Sequence, residues 1–469
     1  MKLYNQYFAP ASVDEALALL AEHGERARVL AGGTDLIVEL DRGVRHLDAI
    51  IDITRIMGLD HIEEEAGTIT LGPLVTHNQA ANDERVLARA FPLAQAAWEV
   101  GSPQLRNRGT VVGNLITASP ANDTIPPLLA LGARVVLGSA ARGERTVSLD
   151  DFYTGFRKVD LSPDEMVLRI EIPALGEGER GAFAKLALRR AQAISVVNVA
   201  VMLRESGARI TLGSVAATVI RAPAAEALLA QGPLTPQSIE EVARLTAEAA
   251  TPIDDVRGTA EYRVQAVLVL ARRLLQALHT GSERDSYPTE RANLWERAAH
   301  PVSVAPAPTS LIESIINGQR VTMEGAAGKT LLRALREDAG LIGTKEGCSE
   351  GECGACTIWL DGVAVMSCLV PAERAHGATV TTIEGLSEGD TLHPLQQSFI
   401  KHDAVQCGYC TPGFIMSAAK LLEEKGTRFT DTEIRQAISG NLCRCTGYYK
   451  IIEAIQALRQ PTDDTLPPD

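Results

Sequence analysis

The chain has 469 residues, with 45 Lys plus Arg against 59 Asp plus Glu and a net charge of -14, so it lacks the basic balance that nucleic-acid binding needs. No run of about 18 apolar residues occurs, which excludes a membrane-spanning helix, and a length spanning three or four ordinary domains leaves room for sizeable cores. All eight cysteines fall between Cys348 and Cys445, and the opening MKLYNQYFAP carries no basic-then-apolar export segment, so a reducing cytoplasm is expected.

Ser12 and Glu15 predict a capped helix, with Val13, Ala16, Leu17 and Leu20 on one face and Gly24 as its stop. The apolar strand RVLA then runs into Gly32-Gly33-Thr34-Asp35. Consecutive glycines after a strand can gather backbone N–H groups on a phosphate, or simply make a tight turn. A second glycine segment, RNRGTVVGNLITASPANDTIPPLLALGA, concentrates Gly109, Gly113, Asn114 and Asp123. Neither stretch has the G-x-G-x-x-G of a dinucleotide fingerprint. Asp123 could instead cap a helix beginning near Pro126, and Lys185 could be a solvated strand lysine. From about 180 the pattern is GAFAKLALR, VVNVAVMLR and ARITLGSV as strands, followed by helices through LLQAL. Residues 282–309 are polar and Pro/Ala-rich and are expected to be a linker.

After it, SLIESIINGQRVTM and TIWLDGVAVMSCL predict hairpins turning at Asn317-Gly318 and Asp361-Gly362, with a helix capped by Thr330 between them. Cys348, Cys353, Cys356 and Cys368 are spaced C-x4-C-x2-C-x11-C, the plant-type ferredoxin spacing for a 2Fe-2S cluster. Gly347, Gly351 and Gly354 between these sulfurs let backbone wrap closely. Cys407, Cys410, Cys443 and Cys445 form a second set of four among helical segments, two just ahead of Pro412 and two after Gly440-Asn441. Four thiolates per set match one two-iron cluster each. Zinc prefers paired CxxC knuckles, which the first set lacks, and a disulfide framework belongs to small secreted chains.

The β-grasp cluster pattern followed by QCGYCTPG and NLCRCTGY resembles the iron-sulfur portion of the molybdenum hydroxylases, of which xanthine dehydrogenase is the best-known member. AGGTDL and GTVVGN resemble the two loops by which that family holds the FAD pyrophosphate. The resemblance implies an α+β, multidomain chain: a two-subdomain α/β FAD-binding domain at 1–175, an α+β flavoprotein C-terminal domain at 178–281, a β-grasp 2Fe-2S ferredoxin domain at 310–386, a helical-bundle 2Fe-2S domain at 387–460 and a tail at 461–469. It implies FAD contacts at Leu30, Ala31, Gly32, Gly33, Thr34, Asp35, Leu36, Thr110, Gly113, Asn114, Asp123, Leu168, Lys185 and Ile194. Val112 stands where glycine is frequent, and a β-branched residue resists positive φ. Gln406, a loop amide when read alone, is implied to lie with Cys445 beside a molybdopterin held by a large partner subunit. No catalytic residue for the hydroxylation is expected in this chain. The expected function is electron transfer, as an oxidoreductase component, through both clusters to FAD and on to NAD, oxygen or a protein carrier, in a cytoplasmic dimer of heterodimers. The alternatives are a stand-alone NADH-dependent reductase and a zinc-bound scaffold or redox sensor.

Overall fold

In the computed structural model, which describes residues 2–295 and 311–460, the first element is built as its sequence asks. Helix Val13–His23 buries Ala16, Leu17 and Leu20, is capped by Ser12 accepting from the Glu15 N–H at 3.2 Å, and ends at Gly24 with φ +53. The Glu15 carboxylate reaches the Ala11 N–H at 2.8 Å, one residue beyond a reciprocal box. Strands Gln6–Phe8, Ala49–Asp52 and Ala27–Leu30 lie in that order as a parallel sheet, and the middle strand is buried throughout. This is the apolar run that a covered parallel strand requires.

A second sheet of the N-terminal half is antiparallel, in the order Ile62–Glu65, Thr68–Leu71, Glu165–Pro173, Arg134–Ser139, Gly143–Ser148. Short helices, including Phe91–Trp98, Val111–Thr117 and Ile125–Leu131, bury an apolar core against it. Val112 lies in the first turn of Val111–Thr117 and is not among the residues with positive φ, so its β-branch costs the loop nothing. Helix Ile125–Leu131 has Thr124 at its N-cap with no side-chain cap, so Asp123 does not cap it. Strands Arg180–Ala187, Ser195–Arg204, Gly207–Gly213 and Ile220–Arg221 form an antiparallel sheet covered by helices Pro236–Glu248 and Ala260–Thr280.

The stretch expected to be a linker is described only to residue 295, and in that part it is packed. Tyr287 Oη donates to Ala81 O at 2.6 Å, its ring meets Phe91 edge-on at 5.4 Å, and Ala292 and Leu294 are fully buried. The polar composition of the stretch marks an interdomain linker, and up to residue 295 its side chains and backbone groups find partners on both halves. Residues 296–310, and the tail at 461–469, lie outside the described residues.

Strands Gln319–Glu324, Leu311–Ile316, Thr379–Thr381, Thr357–Leu360 and Val363–Met366 form a mixed sheet in that order, with helix Leu331–Glu337 packed on its core. Both hairpin turns fall at Asn317-Gly318 and Asp361-Gly362, where all four residues have positive φ. Helices Pro394–Lys401, Thr411–Lys425, Asp431–Ala437 and Tyr449–Gln456 make the last unit. Its core includes Phe399, Phe414 and Ile434, and Trp359 of the mixed sheet joins it by donating Nε1–H to Met416 O at 3.0 Å.

Candidate cofactor sites

The two glycine segments meet. Gly32 lies so close to Arg108 that a Cβ would overlap the Arg108 carbonyl, and Gly33 has φ +79. Among the described residues, the backbone N–H groups from Gly32 through Asp35 donate to no other protein group. Arg108 Nε donates to Gly32 O at 3.2 Å, and its buried second guanidinium nitrogen has no partner. In a trans peptide the C=O and the following N–H point opposite ways. Holding the Gly32 carbonyl against Arg108 therefore turns the Gly33 N–H away from it. Thr110 caps Val111–Thr117 by accepting from Gly113 N–H at 2.9 Å, and Asn114 is fixed by Thr124 Oγ1 at 2.5 Å. Burial, aided by Glu39, pushes the Asp35 carboxyl up although the residue opens to solvent on one side. Free consecutive N–H groups beside a cradle only glycine can line suit a diphosphate.

Asp123, in the bend before helix Ile125–Leu131, meets Lys185 on strand Arg180–Ala187. Asp123 accepts from Lys185 Nζ at 2.6 Å, Ser195 Oγ at 2.5 Å and Asn198 Nδ2 at 3.0 Å, and Lys185 also donates to Glu99 O at 3.0 Å. Neither side chain is solvated, being 8% and 5% exposed. This network fixes Ser195 and with it the position of Ile194, which is 63% exposed. Leu168 sits at the irregularity where the strand pairing shifts between Val167 and Arg169, and Gly138 across from it leaves room for its side chain. The sequence reading missed Arg108, Ser195 and Asn198. The last had a signal, a lone amide in the apolar run SVVNVAVM.

In both cysteine sets the thiols form two touching pairs: Cys348 with Cys353 and Cys356 with Cys368, then Cys410 with Cys443 and Cys407 with Cys445. A hydrogen bond from the Cys353 thiol pushes Cys348 down to about 5, and the same contact pushes Cys353 up. Among the described residues no group of three or more Cys, His, Asp or Glu side chains is placed to hold one metal ion. Tetrahedral zinc needs four ligands around one point, whereas two sulfide-bridged irons need two thiolates each. The donor set therefore fits a two-iron cluster in each module. Glu350 and Glu352 N–H groups donate to Cys348 Sγ at 3.4 and 3.3 Å, and Thr446 N–H and Oγ1 donate to Cys443 Sγ at 3.4 and 3.2 Å. Cys356 and Cys368 are buried, while Cys407, Cys445 and the neighbouring Gln406 are exposed.

The sites are joined by close backbone approaches. A Cβ on Gly33 would stand 2.8 Å from the carbonyl of Leu369, the residue after Cys368. Gln192 Nε2 reaches Gly351 O at 3.0 Å, and Arg42 Nε pairs with Glu350 at 2.7 Å. Between the two thiol sets, Leu442 N–H donates to Cys353 O at 3.0 Å and Asn441 Nδ2 to Gly354 O at 3.1 Å. Gly354, Gly413 and Gly440 have no space for a side chain at this junction, and Gln104 of the N-terminal half donates to Asn441 Oδ1 at 3.1 Å.

Four family models match the chain: an FAD binding domain in molybdopterin dehydrogenase at 3–175, a CO dehydrogenase flavoprotein C-terminal domain at 182–278, a 2Fe-2S iron-sulfur cluster binding domain at 314–381 and a 2Fe-2S binding domain at 382–456. The nicotine 6-hydroxylase small subunit of Paenarthrobacter nicotinovorans is 49% identical over 152 residues, 32% of this chain and 91% of the relative. The carbon monoxide dehydrogenase medium chain of Hydrogenophaga pseudoflava is 33% identical over 277 residues, 58% of this chain and 96% of the relative. A solved carbon monoxide dehydrogenase from Hydrogenophaga pseudoflava, lacking the Mo-pyranopterin moiety of its molybdenum cofactor, superposes with TM-score 0.57 at 34% identity, covering 60% of this chain and 99% of that one.

Proposed function

The chain belongs to the molybdenum hydroxylase family as an electron-transfer subunit with an FAD domain and two 2Fe-2S domains, and on that premise we propose that it carries electrons from a molybdopterin centre on a separate large subunit to NAD. Cys407, Cys410, Cys443 and Cys445 would hold one 2Fe-2S cluster and Cys348, Cys353, Cys356 and Cys368 the other, and such clusters supply one-electron transfer. The Gly32–Asp35 and Thr110–Asn114 loops hold FAD, whose chemistry is to exchange one or two electrons and so convert single transfers into a hydride. The observation that carries this reading is the approach of Gly33 to the Leu369 carbonyl, which sets the flavin cradle against the backbone next to a ligand of the first cluster.

The far end supports a partner there. Cys407, Cys445 and Gln406 are exposed, and Val405, Tyr409, Leu442 and Tyr449, 40 to 77% exposed, lie within four residues of a ligand thiol. An apolar rim around a redox group is a surface to be covered. At the flavin end, Arg189 and Arg190 precede Ile194, and Arg190 is 84% exposed, which favours an anionic acceptor such as a dinucleotide. A cytoplasmic assembly of two such heterodimers, acting on an N-heterocycle, an aldehyde or carbon monoxide, completes the proposal. No helix of the described residues is long and apolar enough to cross a membrane.

Anaerobic titration with NADH, read by absorbance and low-temperature EPR with dithionite added last, tests it. Bleached flavin and two distinct 2Fe-2S signals are expected from NADH alone. Signals only with dithionite remove NAD and leave oxygen or a protein carrier as acceptor. No iron-sulfur signal in a metal-replete preparation overturns the electron path itself.

A further inference from the structure

The segment that enters the cluster-bearing half ends in a peptide that this half reads through its main chain. Ala292 N–H donates to Gln436 Oε1 at 2.9 Å, Asn293 N–H to Glu424 Oε2 at 3.1 Å and Leu294 N–H to the same oxygen at 2.7 Å, while Ala364 N–H donates to Leu294 O at 2.9 Å. Ala292 and Leu294 are fully buried and belong to the apolar core formed with Trp359, Phe399 and Phe414. On the other side the flavin half grips the same residues. Asn78 and Asn107 Nδ2 groups donate to Asn293 O at 3.2 and 3.0 Å, and Asn82 Nδ2 donates to Asn293 Oδ1 at 2.9 Å. Upstream, Arg180 pairs with Glu283 at 3.0 Å, and the Arg284 guanidinium lies 4.2 Å from the Phe91 ring centroid.

We propose that Ala292–Asn293–Leu294 is a docking peptide of the flavin half and that Glu424, Gln436 and Ala364 line its groove on the cluster half. The peptide thus adds a specific non-covalent clasp to the other contacts between the halves, such as Gln192 with Gly351 and Arg333 with Asp41. Consecutive N–H groups read by side-chain oxygens, with a buried apolar anchor at the end, are how a protein recognises a peptide in trans, and here the chain turns at Leu294, whose φ is +58. A segment serving only as a tether has no reason to satisfy its backbone on both partners. The inference stands on protein contacts alone and survives if NAD is not the acceptor.

The test inserts a Gly/Ser-flanked protease site between Val302 and Ser303 of the full-length holoprotein and cuts it there. The cut halves are expected to co-elute on size exclusion with flavin and cluster absorbance together. Leu294→Asp in the cut protein should weaken the association by at least about tenfold, the effect of spoiling a buried anchor, while Leu294→Met restores it. Separation of the unmutated halves on cutting overturns the proposal, as does a cut Leu294→Asp protein that holds as firmly as its parent. Should Leu294→Asp lose its clusters before cutting, Glu424→Leu against Glu424→Gln decides the matter. The first should release the halves and the second, which keeps an acceptor oxygen, should hold them. The contacts of Gln104 with Asn441 and of Arg333 with Asp41 are left intact in all these variants.

Discussion

Removing the Asp123 carboxylate tests whether it is a pin between the loop before helix Ile125–Leu131 and the sheet of Arg180–Ala187 and Ser195–Arg204, or only a neighbour of the cofactor. Asp123→Ala strips three donors of their acceptor and leaves the Lys185 ammonium, 5% exposed, with the Glu99 carbonyl alone. Breaking one side of a buried pair costs about 3–5 kcal/mol, because the remaining charge is desolvated without compensation. At about 2–4 °C per kcal/mol for a domain of this size, the flavin-domain transition should fall by about 6–20 °C. Asp123→Asn keeps an oxygen but not the charge and should fall between. Asp123→Ala combined with Lys185→Met should recover most of the loss, since replacing both partners by apolar groups can be nearly neutral. The assay is calorimetry of the full-length protein, with flavin fluorescence assigning the transition and visible circular dichroism of the clusters as internal control. If Asp123→Ala melts with the parent and merely loses FAD, the pin is refuted and the carboxylate serves the cofactor alone.

Gly32→Ala would place a methyl on the Arg108 carbonyl, and the strain, about 1–3 kcal/mol for overpacking, should lower the flavin-to-iron ratio while leaving four irons per chain. Arg108→Met, freeing the Gly32 carbonyl, should loosen FAD in an equilibrium fluorescence titration without moving the cluster signals. His77 packs under Gly109 and, through burial first, has its pKa lowered to about 3. Below its ordinary value of 6.5 the unfolded chain takes a proton that the folded one refuses. Its share of stability is therefore complete above that pH and is lost on acidification, at about 1.4 kcal/mol per pH unit. Urea midpoints of parent and His77→Gln between pH 7 and 5 should show a flatter acid limb in the variant. Gly413→Ala would press on the Gly354 carbonyl and should part the two cluster domains, slowing intramolecular electron transfer after flash reduction at an unchanged cluster content.

What could be read from the chain was local in sequence. The Asn317-Gly318 and Asp361-Gly362 turns and the Ser12 and Thr330 caps each depend on neighbours a few residues away, and each is found in the structure. Asp123 with Lys185, Arg108 with Gly32 and Asn293 with Asn78 are joined over 62, 76 and 215 residues, and no periodicity marks such pairs. That the expected linker is packed up to residue 295 was illegible for the same reason. A segment whose partners lie on other domains has the composition of one that meets only water.

The order of the modules then becomes a matter of small consequence for the electron path. Closing a flexible loop costs only about 0.6 kcal/mol more for each doubling of its length, so a covalent connection raises local concentration without setting geometry. Geometry is set where glycine backbone meets its neighbours closely: Gly33 on the Leu369 carbonyl, Gly413 on the Gly354 carbonyl, and Gly440 on the Ser102 and Gln104 side chains. Every one of these contacts forbids a side chain, and together they join the glycine cradle to the buried thiols and the buried thiols to the exposed ones. A chain that keeps these glycines and the Asn293 clasp could carry its two halves in either order, or as two polypeptides, and still conduct.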